Sequence, residues 1–145
     1  MKYKVEVIIN IPRYKMLELF QDMEFMKEWQ EGFESLTHLE GTPGEVGAIS
    51  LLKYNSKGKT SEIKETVLQK DLPNTFNFLY EANGVENIAN NTFVDLGDKT
   101  KWVGEHEFNF SGFMKIMSKL LKGAFIKQTT KDMNSFKTHA ENNNW

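Results

Sequence analysis

The stretch from Ser111 to Ala140 constrains the fold most strongly, because its apolar residues recur at steps of three and four. That spacing places them on one face of a helix and predicts a single long helix. Ser111 is expected to cap the first turn, and the intervening lysines predict a basic outer face. Such a helix needs a large apolar surface to pack against, which the rest of the chain has to supply. The apolar positions are Phe113, Ile116, Met117, Leu120, Leu121, Ala124, Phe125, Met133, Phe136 and Ala140.

Gly123 lies in the middle of this helix, where a glycine is roughly 1 kcal/mol less favourable than an alanine. One interpretation is a kink or a close approach of another backbone segment, which is the common use of a mid-helix glycine. The other is that the missing side chain leaves room for a molecule bound beneath the helix. The sequence leaves both interpretations open.

The composition excludes several classes of protein. A chain of 145 residues is expected to form one domain over 1–145, with an end at 142–145 that is expected to fray. Its net charge is -2. The charge provides no basic footprint for nucleic acid. There are no cysteines, which excludes a disulfide framework, a thiolate metal site and a cysteine nucleophile.

The sequence also predicts a cytoplasmic protein that is not inserted into a membrane. No apolar run reaches the ~20 residues that a membrane span needs. Residues 1–6 alternate and include an acid, and they lack the apolar segment of a signal peptide. His38 and His139 lie far apart in the sequence without the spacing of metal ligands, so neither a metal nor another cofactor is expected.

The order of the predicted elements indicates an α+β fold. Tyr3–Asn10 alternates and predicts a strand. Two short helices follow, the first opened by Pro12 and the second capped by Asp22, with Gly32 beyond their end. Tight turns then separate six further strands, which predicts an antiparallel meander. The strands are predicted at about 33–40, 46–55, 59–69, 75–83, 86–96 and 100–110.

We therefore predict a curved seven-stranded antiparallel sheet around the long C-terminal helix. Alternation within the strands sorts their side chains onto two faces. In the last strand, Trp102, His106 and Phe108 are predicted to face the helix. The strand at 86–96 is ambiguous. The predicted inner face carries a few polar groups among many aromatic ones, namely Tyr54, Glu65, Tyr80, Asn91 and His106. Because an unpaired buried polar group costs ~1–3 kcal/mol, these groups indicate a partly wet pocket.

Several marker residues resemble a known family. They are Pro12, Trp29, the turn Gly41-Thr42-Pro43-Gly44-Glu45-Val46-Gly47, Glu65-Thr66-Val67, Leu72-Pro73 and Phe136-Lys137-Thr138-His139-Ala140-Glu141. In this order they resemble the helix-grip superfamily of START-domain, polyketide-cyclase and birch-pollen-allergen-like proteins (SRPBCC), over essentially the whole chain. The resemblance implies a cavity for an apolar ligand between the sheet and the long helix. It does not fix the activity, because members carry lipids, cyclise or dehydrate polyketides, or activate a chaperone.

The predicted ligand-binding residues combine aromatic walls with a few orienting groups. Tyr54, Tyr80 and His106 are expected to orient the ligand, although an inward tyrosine more often fills space. Trp29, with two neighbouring methionines, either lines the mouth of the pocket or plugs one end of the sheet. The full predicted set is Tyr54, Phe76, Phe78, Tyr80, Trp102, His106, Phe108, Met117, Leu121 and Phe125.

His106 carries the sharpest mechanistic hypothesis. A histidine near its ordinary pKa of ~6.5 suits proton transfer at neutral pH, and Glu65 pairs with it if the strand register allows. The alternative is a neutral core histidine bonded to a neighbour. No residue is assigned firmly as catalytic.

Three functions follow in order of preference. The first is non-catalytic binding of a small hydrophobic molecule, lipid-like or aromatic and polyketide-like, between the sheet and the C-terminal helix. The second is a cyclase or dehydratase that uses His106 as its acid and base. The third is an interaction domain that resembles the chaperone-activator branch. The expected partner is a small hydrophobic molecule rather than nucleic acid, and homodimerisation is left open.

Overall fold

The computed structural model describes residues 1–142, and it confirms the predicted order of elements and the α+β fold class. Residues 143–145, where most of the frayed end was predicted, lie outside the described residues. The elements are β1 (Lys2–Ile9), α1 (Arg13–Phe20), α2 (Met23–Trp29), β2 (Phe33–Glu40), β3 (Ile49–Ser56), β4 (Lys59–Asp71), β5 (Thr75–Ala82), β6 (Val85–Asp95), β7 (Thr100–Phe110) and α3 (Phe113–Glu141).

The seven strands form one antiparallel sheet in the order β1-β7-β6-β5-β4-β3-β2. Consecutive strands from β2 to β7 are neighbours, as the short turns predicted, and β1 forms one edge of the sheet by pairing with β7. The two short helices lie between β1 and β2 in the chain. Asp22 caps the second of them, because its Oδ1 accepts a hydrogen bond from the Glu24 backbone N–H at 2.9 Å. The long helix lies against β1 and α2.

The centre of the molecule is a solid aromatic cluster around Phe136, which is 0% exposed. Its ring centroid lies 5.1 Å from that of Phe25 and 5.3 Å from that of Trp29, both on α2. On the sheet side it lies 5.2 Å from Trp102. Around Phe136, α3 is therefore packed on the sheet through close-packed rings with edge-to-face geometry.

The inner face of the sheet largely follows the predicted alternation. Trp102 and Phe108 of β7 are buried as predicted. Ala48, just before β3, and Leu52, within it, are buried as well. The ambiguous strand is now resolved, because Ala89, Asn91 and Phe93 of β6 are buried. The side chain of Asn91 accepts a hydrogen bond from Trp102 Nε1 at 3.0 Å and donates one to the Phe76 carbonyl at 3.0 Å. Both polar atoms of this buried side chain therefore have a hydrogen-bond partner.

The first half of α3 departs from the prediction of one continuous buried face. Phe113, Ile116 and Leu120 are 71%, 76% and 75% exposed, and the buried residues of the helix are Met133, Phe136 and Ala140. The reason is geometric. Residues twenty positions apart in a helix point roughly 160° away from each other, because each residue turns about 100°. The apolar pattern therefore contains two stripes on different sides of α3.

The predicted cap of α3 at Ser111 is also wrong. The helix begins at Phe113, and Gly112 takes the N-cap position without any side-chain cap. Gly112 has a φ of 59°, a left-handed conformation that glycine adopts at little steric cost. The backbone turn at this glycine, rather than the Ser111 hydroxyl, sets the start of the helix.

Gly123 offers a test of helix stability. A β-carbon built at this position would have no neighbouring atom within 4 Å, so the interpretation as a close backbone approach is wrong. We expect Gly123→Ala to raise the free energy of unfolding by about 0.5–1 kcal/mol, measured by urea denaturation, because alanine is the better helix former. The control is Ala124→Gly on the neighbouring exposed position, which should lower it by a similar amount. A destabilising Gly123→Ala would reveal strain that the helix geometry does not show.

Candidate functional site

A cavity of about 280 Å³ opens between the inner face of the sheet and the two short helices. Its wall is formed by α1, α2 and strands β2 to β5, and most of it is apolar. No α3 residue within 1–142 lines it. The lining residues are Phe20, Gln21, Met23, Met26, Trp29, Gln30, Leu36, His38, Pro43, Gly44, Ala48, Ser50, Glu65, Val67, Phe76, Phe78 and Tyr80.

The cavity is displaced from the place where it was predicted, because the rings around Phe136 fill the space between the centre of the sheet and α3. Three of the ten predicted ligand-binding residues, Phe76, Phe78 and Tyr80, line it. A fourth, Tyr54, lies next to it and donates a hydrogen bond from its hydroxyl to Oε1 of the lining residue Gln30. The wall also includes Met23, Met26 and Trp29 of α2, for which one of the two interpretations was that they line the mouth of the pocket.

The structure places the other predicted ligand-binding residues outside this cavity. Trp102 belongs to the aromatic core. Phe108 stacks on Phe125 with 4.7 Å between ring centroids, which holds the first half of α3 against β7. Met117 and Leu121 are half-buried on the same part of the helix. These residues pack α3 on the sheet at a distance from the open space.

Four polar side chains form a row across the cavity wall. In the strand register, His38 of β2 is opposite Ser50 of β3, Ser50 is opposite Glu65 of β4, and Glu65 is opposite Tyr80 of β5. Because paired residues point to the same face of an antiparallel sheet, all four lie at the same level. The sequence predicted inward positions for Glu65 and Tyr80 strand by strand, but it considered His38 only as a metal ligand. The register between neighbouring strands brings these four side chains together, and alternation within a single strand does not predict that register.

Glu65 is the chemically most distinctive member of this row. Burial raises the pKa of its carboxyl from 4.5 to about 7, although a hydrogen bond from Tyr80 acts in the opposite direction. Burial also raises the pKa of the Tyr80 phenol, and the Glu65 charge raises it further. At neutral pH, the carboxyl can therefore donate or accept a hydrogen bond, and the phenol stays neutral. No lysine or arginine of residues 1–142 lines this cavity.

One residue that lines the cavity, Trp29, carries a buried donor. The indole Nε1 of Trp29 is buried and has no hydrogen-bond partner within residues 1–142. An unpartnered buried donor is unfavourable by about 1–3 kcal/mol. An acceptor on a bound molecule that reached this indole would remove that penalty.

His106 lies away from the cavity. Its ring stacks on Tyr3 with 5.1 Å between centroids, and its Nδ1 lies 3.3 Å from Nδ2 of Asn87. Burial lowers the pKa of its imidazole to about 4, so the ring is neutral at pH 7. The predicted Glu65–His106 pair is not formed, because two strands separate them and Glu65 interacts with Tyr80 instead. The interpretation as a neutral core histidine bonded to a neighbour fits this geometry.

Asp132 of α3 is a second buried acid that the sequence did not single out. Burial raises the pKa of its carboxyl to about 6, and Gln128 Nε2 donates to its Oδ1 at 2.9 Å. Within residues 1–142, no group of three His, Asp or Glu side chains is arranged to hold a metal ion.

Solved structures with the same architecture cover almost the whole chain. Ara h 8.0201 superposes with a TM-score of 0.78 at 14% identity, covering 99% of each chain. The chain has the helix-grip fold. The helix-grip Zhui aromatase/cyclase from Streptomyces sp. R1128 gives a TM-score of 0.78 at 13% identity, covering 97% of this chain and 93% of that one. A norcoclaurine synthase point mutant from Thalictrum flavum, in complex with a transition-state analogue, gives 0.69 at 14%, with coverages of 97% and 93%.

The resemblance to helix-grip proteins is thus confirmed at the level of the fold. No protein-family model matches the sequence, and no curated protein matches it. At such low identity, no functional residue can be transferred from the neighbours. The function therefore has to be argued from the residues of this cavity.

Proposed function

We propose that the protein binds a small, mainly apolar molecule that carries one hydrogen-bonding group, in the cavity between the sheet and the short helices. The observation that carries the proposal is the apolar wall of this cavity with Glu65 and Tyr80 side by side on it. Ligand sites are typically apolar clefts with a few placed polar groups.

The size of the cavity favours a compact ligand. Its volume of about 280 Å³ lies just below the roughly 300–1,000 Å³ that is typical of small-molecule sites. A compact aromatic molecule suits this space better than a long-chain lipid. The descriptions of two structural neighbours as an aromatase/cyclase and a norcoclaurine synthase are compatible with this preference.

The other functions find less support in the geometry. An interaction domain of the chaperone-activator type does not need an internal cavity, whereas this protein has an open apolar one. A cyclase that depends on His106 would need that residue beside the substrate, and it lies outside the cavity wall. A carboxyl with a pKa of about 7 does suit proton transfer near neutral pH.

Glu65 therefore supports a second candidate, a cyclisation or dehydration in the same cavity with this carboxyl as acid and base. A Glu65→Gln variant that still binds a substrate but no longer converts it would favour this candidate. Unchanged turnover by that variant would remove it.

The binding proposal predicts that filling the cavity abolishes binding. Ala48 lines the cavity and is 3% exposed, so Ala48→Phe places a ring in the space that the ligand needs. With 2-naphthol as the probe in isothermal titration calorimetry, we expect the affinity to fall at least about tenfold, because the apolar contacts of the probe are lost. Unchanged affinity would place the probe elsewhere and contradict the proposal.

The matched control is Thr37→Phe, which adds the same ring at an exposed position of β2 and should leave binding unchanged. Comparison with naphthalene isolates the polar contact. The hydroxyl of 2-naphthol should make its binding roughly tenfold tighter, as one hydrogen bond contributes about 0.5–1.5 kcal/mol. Equal affinities for the two probes would mean that the Glu65 end of the cavity does not recognise a ligand group.

A further inference from the structure

The first half of α3 exposes an apolar stripe that packs against nothing in residues 1–142. The stripe consists of Phe113, Ile116 and Leu120, which are at least 71% exposed and fall on one side of the helix at steps of three and four. The opposite side of the same segment is held on the sheet, where Phe125 stacks on Phe108 and Phe110. Exposure of three large apolar side chains on consecutive turns indicates an interaction surface.

The charge around this stripe is strongly one-sided. Residues 108–131 contain no aspartate or glutamate, although the chain as a whole has a net charge of -2. Four lysines of this segment are exposed and form no ion pair within the described part of the chain: Lys115, Lys119, Lys122 and Lys127. Lys119 lies one turn from Ile116, and Lys127 lies two turns from Leu120 on the same side.

This combination selects one kind of partner. A second copy of the chain would place lysines against lysines, and like charges across an interface are unfavourable. A protein with an acidic groove would need to surround the helix, and one side of the helix is already packed on β7 through Phe125. A planar anionic surface requires one free side only, with apolar residues in the middle and lysines at the margin, as in helices that lie in a membrane interface.

We propose that the first half of α3 docks on anionic lipid bilayers, with Phe113, Ile116 and Leu120 in the headgroup region and the lysines on lipid phosphates and carboxylates. The helix lies on the bilayer rather than through it, since no helix of residues 1–142 is long and apolar enough to cross a membrane. The surface is separate from the cavity, whose wall contains no described α3 residue. The inference is therefore independent of the proposed ligand.

Vesicle sedimentation with the full chain tests this proposal. We expect binding to vesicles of phosphatidylcholine and phosphatidylserine at low ionic strength, and little binding to pure phosphatidylcholine. Replacing Phe113, Ile116 and Leu120 together with serine should weaken binding at least about tenfold, because the inserted apolar area is lost. Replacing Lys115, Lys119 and Lys127 with glutamine should have an effect of at least that size, and added salt should reproduce it.

The matched controls alter exposed residues elsewhere in the same way. They are Leu39→Ser, Val46→Ser and Leu96→Ser for the apolar change, and Lys53→Gln, Lys59→Gln and Lys99→Gln for the charge. Neither control should affect binding. Failure of the wild-type chain to sediment with anionic vesicles, or equal losses in the controls, would overturn the proposal. Self-association that the serine variant abolishes, without vesicle binding, would assign the stripe to a second copy instead.

Discussion

Replacing Phe136 with alanine is expected to lower the free energy of unfolding by about 4 kcal/mol, since large-to-small changes at buried phenylalanines cost about 3–5 kcal/mol. The ring is fully buried and contacts rings from α2 and β7. Its removal leaves a cavity where three elements meet, and aromatic surroundings collapse poorly into such a space. Because domains of this size are stable by only about 5–15 kcal/mol, the loss should be obvious in urea or thermal unfolding.

Phe113→Ala on the same helix is the matched control. The chemical change is identical, but this side chain is 71% exposed, so we expect the unfolding free energy to change by less than about 0.5 kcal/mol. The comparison separates burial from the helix propensities of phenylalanine and alanine. Similar losses at the two positions would mean that both halves of α3 are buried equally in solution, which would also remove the exposed stripe on which the membrane proposal rests.

The sequence predicted those parts of the fold that depend on local periodicity. Alternation placed Trp102 and Phe108 on the inner face of β7, and tight turns predicted the antiparallel meander that the sheet shows. In α3, the same method failed for the first half, because steps of three and four fit both of its apolar stripes. Which stripe is buried depends on how far the sheet extends beneath the helix, and that is a tertiary property.

The position of the cavity could not be predicted for a related reason. The cavity lies beyond the part of the interior that Phe136 and its neighbouring rings fill. The extent of that filled part depends on ring packing between distant parts of the chain. Pairing across β2 to β5 brings His38 and Ser50 to the same level as Glu65. A single-strand pattern contains no information about this register.

The group expected to titrate near neutral pH is Glu65 in the structure, whereas the sequence predicted His106, and the reason for the difference is electrostatic. The sequence favoured His106, because the ordinary pKa of histidine is close to 7. Burial disfavours the charged form of each group, so it lowers the pKa of His106 to about 4 and raises that of Glu65 to about 7. The same physical effect therefore moves the histidine out of the neutral range and the carboxyl into it.

The raised pKa of Glu65 predicts that this residue destabilises the protein increasingly from about pH 4.5 to pH 7. Below this range, the carboxyl is protonated in both states and contributes nothing. Within it, the unfolded chain releases the proton while the folded chain retains it, so stability falls as the pH rises. His106 has the opposite effect between about pH 4 and 6.5, because there the unfolded chain binds the additional proton. The two contributions partly cancel in the wild type, and a variant is needed to separate them.

Glu65→Gln isolates the carboxyl, since glutamine has the same shape and cannot ionise. Relative to the wild type, we expect the variant to gain about 2–3 kcal/mol of unfolding free energy between pH 5 and pH 8, measured by urea denaturation at both values. Glu62→Gln makes the same change at an exposed position of β4 and is the matched control. A difference between Glu65→Gln and the wild type that does not change with pH would mean that water reaches the Glu65 carboxyl freely. In that event the polar end of the cavity would be solvated, and a ligand would gain little by binding there.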